Sequence, residues 1–170
     1  MKRHRAGLLV TILLLLAATV VGGAAADASG RQQQRPLRVK VEFSAVPPDF
    51  ECAGGLMPQG FVGGGQVSHL GAVEISGGVC NDFVNLRFTD GFGTYVAANG
   101  DSIDITYAGD ATPTETGFLG EGSAEIVGGT GRFDGATGAF DFTTTTTVFP
   151  DGSSTTSLEG DGWITYGSRR

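Results

Sequence analysis

From Leu37 the chain alternates strictly, with Leu37, Val39, Val41, Phe43 and Ala45 on one side and Arg38, Lys40, Glu42 and Ser44 on the other. Side chains two apart on an extended chain share a face, so the segment reads as a strand with one buried face. Pro47-Pro48 stops it. The same period returns along the chain. Val67 to Ile75 puts Val67, His69, Val73 and Ile75 together, and Val84, Leu86 and Phe88 oppose Asn85 and Arg87. Ile103, Ile105 and Tyr107 alternate with Asp104 and Thr106. Phe140, Phe142, Thr144, Thr146 and Val148 share a face in a threonine-rich run, and β-branched residues favour strands over helices. A last segment, Thr155 to Tyr166, carries Leu158, Trp163 and Ile164.

Turn signals separate these segments: Asp90-Gly91, Asn99-Gly100, Asp134-Gly135, Asp151-Gly152 and Asp161-Gly162. Asn-Gly and Asp-Gly supply the positive φ of a two-residue hairpin turn. Asn99-Gly100 is the best case, joining Thr94–Ala98 to Asp101–Tyr107. Glycine accounts for 29 of 170 residues, against a usual share of about 7%, a composition that disfavours helices but suits bulges and barrel corners. No segment after the N-terminal apolar run holds a 3.6-residue period over three turns. Seven or eight short antiparallel strands in one domain predict an all-β sandwich or closed barrel.

The N-terminus is of another kind. Lys2, Arg3 and Arg5 precede an uncharged run from Ala6 to Val21, and Ala24-Ala25-Ala26 follows. That order is a secretory signal peptide, removed after Ala26; the run is short of the ~20 residues a membrane span requires. The first cysteine is Cys52 and the C-terminus is polar, so neither offers a stable membrane anchor. The predicted organisation is signal peptide 1–26, disordered leader 27–36, barrel domain 37–167 and tail 168–170. Cleavage removes three basic residues and no acidic ones, which takes the net charge from −7 to −10. Between Val39 and Ser168 the basic residues are Lys40, Arg87 and Arg132. Binding to phosphate backbones needs several cations on one surface, so nucleic acid is excluded as a partner. An outer-membrane barrel would need lipid-facing strands of about 10 residues and aromatic girdles, which the sequence lacks. Export also permits oxidation, and Cys52 and Cys80 allow one pairing, a disulfide closing about 29 residues.

Gly128 to Gly138 reads GGTGRFDGATG. It is not a dinucleotide fingerprint, because the spacing from Gly129 departs from that pattern and no helix follows. No cofactor is expected. Gly129, Gly131 and Gly138, with Asn99 and Gly100, are read as structural turn residues. The stretch resembles a segment of the allene oxide cyclase-like and dirigent-like barrels: GGTG, Lys or Arg, Phe, two residues, Ala, one residue, Gly. Val67-Ser68-His69-Leu70-Gly71 and Ala97-Ala98-Asn99-Gly100-Asp101 look like segments of a secreted bacterial branch of that superfamily. The resemblance spans most of Leu37 to Tyr166 and implies an eight-stranded antiparallel barrel around a mostly apolar cavity. Fold does not fix function, and no catalytic position is carried over.

Three residues are candidate ligand contacts. His69, the one histidine left after processing, falls by parity on the inward face, where it is either a general base or ligand contact or a hydrogen-bonded structural histidine. Tyr107, on the face of Ile103 and Ile105, either packs or donates its hydroxyl into a cavity. Arg132 pairs with a carboxylate or holds an anionic ligand, and Arg87 pairs with a carboxylate. Tyr95 and Trp163 are expected in the core. Two cysteines and scattered carboxylates give no metal site. Three functions fit: a barrel holding a small apolar or amphipathic molecule, a structural protein of the cell exterior with a filled barrel, and a cyclase, isomerase or dirigent-like barrel. The first two involve no catalysis. N-terminal sequencing of the exported protein is expected to begin within a few residues of Asp27; an intact Met1 species in the membrane fraction would contradict the signal-peptide reading.

Overall fold

A computed structural model describes residues 33–167 of the chain. The segment read from sequence as a signal peptide, most of the expected leader and the 168–170 tail lie outside these described residues. Eight strands run in order around a closed antiparallel barrel: β1 (Arg35–Val46), β2 (Met57–Val67), β3 (Gly71–Asp82), β4 (Arg87–Ala97), β5 (Ser102–Pro113), β6 (Gly117–Gly129), β7 (Thr137–Val148) and β8 (Ser154–Thr165). Pairing of β8 with β1, from Arg35 opposite Ile164 to Ser44 opposite Thr155, closes the circle. Closure leaves no unpaired sheet edge. β1 starts at Arg35, inside the stretch read as leader, because Arg35 and Pro36 still pair with β8.

The alternation in β1 holds: Leu37, Val39 and Val41 are buried inside and Arg38, Lys40 and Glu42 face solvent. The strands are 11–13 residues long, longer than expected, but their outer faces carry exposed charges such as Glu74, Glu125, Asp141 and Asp161.

Other local readings are corrected by tertiary structure. Val67 to Ile75 is not one strand: Ser68, His69 and Leu70 turn the chain between β2 and β3, and His69 has φ +69°. Val84 is 90% exposed in the β3–β4 turn, and Leu86 there has φ +53°. Asp90-Gly91 is a β-bulge inside β4 rather than a turn, since the register with both β3 and β5 shifts there and Asp90 takes φ +53°. Asp161-Gly162 lies within β8, paired with β1 and β7. At Asn99-Gly100 the hairpin is real, but Gly100 alone takes positive φ (+85°), with Asn99 accepting from the Asp101 N–H at 3.2 Å. That fits a three-residue loop ending in a left-handed glycine. Trp163, one residue out of phase with Leu158 and Ile164, points outward and is 37% exposed.

The connection from β1 to β2 runs over the outside of the barrel. Phe50 packs edge-on against Phe92 with ring centroids 5.1 Å apart. Cys52 and Cys80 form a disulfide with Cα atoms 5.8 Å apart, fixing this connection to β3. A crosslink stabilises chiefly by restricting the unfolded chain. Urea unfolding of the Cys52→Ala/Cys80→Ala protein is expected to show a loss of about 3 kcal/mol; an unchanged midpoint and slope would contradict that role.

Candidate functional site

The barrel has two unlike ends. One carries the β2–β3, β4–β5 and β6–β7 connections and is plugged by Phe133, which is 0% exposed. Gly131, with φ +63°, turns the chain so that Phe133 drops into this end. Its ring meets Tyr166 edge-on at 4.8 Å, and the Arg35 guanidinium lies 4.2 Å over Tyr166. Arg132 donates to the His69 carbonyl at 2.6 Å and pairs with Asp101 at 3.4 Å. The His69 ring Nε2 lies 2.9 Å from the Pro36 carbonyl. Thus His69 and Arg132 tie together the connections of the plugged end, and neither lines the cavity described below. The parity argument for His69 fails because a turn residue has no strand face. Gly129 and Gly138 belong to β6 and β7 rather than to the turn. A side chain there would run into the Ser102 and Trp163 carbonyls, so close approach of neighbouring strands explains them.

Towards the other end the barrel encloses a cavity of about 310 Å3. Its wall is built from inward strand positions: Phe43 of β1, Phe61 of β2, Ile75 of β3, Tyr95 and Phe88 of β4, Ile105 and Tyr107 of β5, Phe140 and Phe142 of β7, and Leu158 of β8. The bulge in β4 shifts parity so that Phe88 as well as Tyr95 faces inside. Tyr107 is the hub, with ring centroids 6.0 Å from Phe142, 6.2 Å from Phe88 and 6.5 Å from Phe61. Its ring covers Gly91, where any side chain would displace it; at Gly77 a side chain would meet the Phe92 carbonyl first and the Phe61 ring next. Phe83, Leu86, Phe118 and Val148 line the mouth.

Few polar groups reach this space. The Tyr107 hydroxyl donates to the Gly78 carbonyl at 3.3 Å, and the Thr146 and Thr156 hydroxyls are 2.9 Å apart. Gln59 accepts from Asn81 at 3.0 Å. Charges stay at the mouth. Arg87 pairs with Asp110 at 3.0 Å. Asp82 accepts from the Asn85 side chain at 2.7 Å and from the Val84 and Asn85 N–H groups at 3.0 Å. The Asn85 side-chain bond, then that residue's backbone bond, lowers the Asp82 pKa. Burial pushes the phenol pKa of both Tyr95 and Tyr107 well up, with the neighbouring Tyr95 adding to the shift at Tyr107. Both phenols therefore remain neutral hydrogen-bond donors.

Of the residues singled out from sequence, Tyr107 stands in the cavity wall. Tyr95 was read only as core, although the Asn99-Gly100 hairpin sets it opposite Ile103, on the face of Ile105 and Tyr107. Phe61 carried no signal, since Gly63-Gly64-Gly65 beside it erases the alternation of β2.

No family model matches the chain, and no curated protein matches its sequence. Among solved structures it is similar to a pterocarpan synthase dirigent protein, at 14% identity and a TM-score of 0.48, over 81% of this chain and 89% of that one. That likeness says nothing about what the cavity holds. The closed eight-stranded antiparallel barrel expected above is borne out by the strand pairing itself.

The phenol shifts fix a sign for alkaline pH. Each folded pKa lies above the unfolded value of about 10, so the stabilising contribution is complete below that pH and falls as pH rises through and beyond it. In an ultraviolet titration, Tyr95 and Tyr107 are expected to stay protonated while the chain is folded and to ionise on alkaline unfolding. Ionisation of every tyrosine near pH ~10 with the fold intact would contradict the enclosed placement.

Proposed function

We propose that the chain is a secreted binding protein that holds one small apolar or amphipathic molecule inside the barrel. The observation carrying this reading is the 310 Å3 aromatic-walled cavity, with its mouth at one end and a plug at the other. Ligand sites run from about 300 to 1,000 Å3, are largely apolar, and carry a few placed polar groups. An eight-stranded barrel is wide enough to be filled by side chains or to hold one small ligand. The inward glycines Gly77 and Gly91 leave it short of filling atoms, which favours holding over filling. The Cys52–Cys80 disulfide fits the oxidising environment that export provides.

A holder is favoured over a catalyst by the chemistry of the wall. Its uncharged polar groups include tyrosine and threonine hydroxyls and the Gln59 and Asn81 amides, and phenols kept protonated by burial do not serve as bases near neutral pH. Native mass spectrometry of the protein from culture medium is expected to show a retained molecule that organic solvent releases. Ala45→Trp and Ala111→Trp, each placing an indole on the cavity wall, are expected to abolish retention while the protein stays folded. Full retention in both variants would contradict an interior site.

A further inference from the structure

We propose that the cavity selects a neutral molecule with one hydrogen-bond-accepting oxygen on an apolar body, entering oxygen first, and that Tyr95 is the residue that reads this oxygen. The proposal rests on the ligand-holding role argued above. Tyr95 is 2% exposed, yet its hydroxyl has no hydrogen-bond partner among the described residues. Among the described residues every fully enclosed side-chain polar atom does have a partner, so the Tyr95 oxygen opens onto the cavity whose wall it forms. A buried donor without an acceptor is costly, and an acceptor brought by a ligand removes that cost. The neighbouring phenol is already engaged, because Tyr107 donates to the Gly78 carbonyl.

Tyr95 lies between Ile75 and Ile103 in the sheet, on the plugged side of the Tyr107 ring cluster, so the oxygen it meets belongs to the leading end of the ligand. A phenol oxygen gives part of its lone pair to the ring, so it donates better than it accepts. No charged side chain lines the cavity at this depth among the described residues; Asp82 and Arg87 line it only at the mouth, and Arg87 is tied to Asp110. A carboxylate or ammonium carried to Tyr95 would lose its water with no counter-charge to replace it. The cavity's 310 Å3 equals the liquid volume of roughly ten water molecules, enough for a compact ring system.

Three probes on one ring system test the idea: 2-acetylnaphthalene, 2-ethylnaphthalene and 2-naphthoate, titrated calorimetrically into the purified protein at neutral pH. The ketone is expected to bind roughly five- to tenfold more tightly than the ethyl compound, the span of one hydrogen bond, and the naphthoate most weakly. The infrared carbonyl stretch of the bound ketone should move to lower frequency. Tyr95→Phe should abolish that shift and remove the ketone's advantage over 2-ethylnaphthalene. Should Tyr95→Phe fail to fold, the wild-type ranking and carbonyl shift decide the matter. Equal binding of ketone and ethyl compound with an unshifted carbonyl, or tightest binding of the naphthoate, would overturn the Tyr95 proposal and leave the ligand-holding role standing. Binding of none of the three would remove that role, and the proposal with it.

Discussion

Pairing between the first and last strands governs the rest of this molecule. β1 meets β8 over ten residues, from Arg35–Ile164 to Ser44–Thr155, and that ladder turns an eight-stranded meander into a tube. Once the tube closes, backbone donors and acceptors along every strand have neighbours on both sides, and strand number fixes the width of the interior. The side chains must then suit that width. Inward glycines beside inward rings, Gly91 under Tyr107 and Gly77 under Phe61, let the aromatics lie along the wall rather than fill the centre. The cavity is a consequence of closure combined with this pairing of smallest and largest residues.

The two ends follow from what the connections contribute. At one end the β6–β7 connection supplies Phe133 as a plug, held beneath Tyr166 and flanked by the Arg132–Asp101 pair. That ion pair, half-exposed at Arg132 and partly buried at Asp101, adds about 1 kcal/mol at most, so the apolar contacts of Phe133 are the main stabilising term there. At the other end the connections offer no comparable plug: Phe83 and Val148 stand at the mouth, exposed in part. The external disulfide fixes the long β1–β2 connection against β3 without entering the interior.

Much of this was legible in the sequence where local pattern and tertiary role agree. β1 alternates because one face is core and the other solvent. The threonine run of β7 is a strand with Thr144 and Thr146 turned inward. What failed did so for identifiable reasons. Counting from Val67 gives His69 a strand face, but the chain turns at Ser68–Leu70 with positive φ at His69 and at Gly71, a conformation histidine and glycine tolerate better than most residues and a period-2 count overlooks. The glycine-rich β2 has too few side chains to show a period, and it became a strand only by pairing with β1 and β3. The bulge at Asp90 reversed parity within β4 and brought Phe88 inside, where an Asp-Gly pair had suggested a turn. Of the site, Tyr107 was accessible from alternation; Tyr95 needed the hairpin register, and the lack of a partner for its hydroxyl among the described residues needed the whole barrel.

The central claim is that the closed barrel keeps an apolar void between its aromatic rings. Diffraction from a crystal held under xenon pressure measures this directly, because xenon enters dry apolar cavities and scatters strongly. The account predicts a xenon site inside the barrel, bounded by Tyr107, Phe61 and Phe142. An interior with no xenon and with those rings packed across the barrel axis would contradict it.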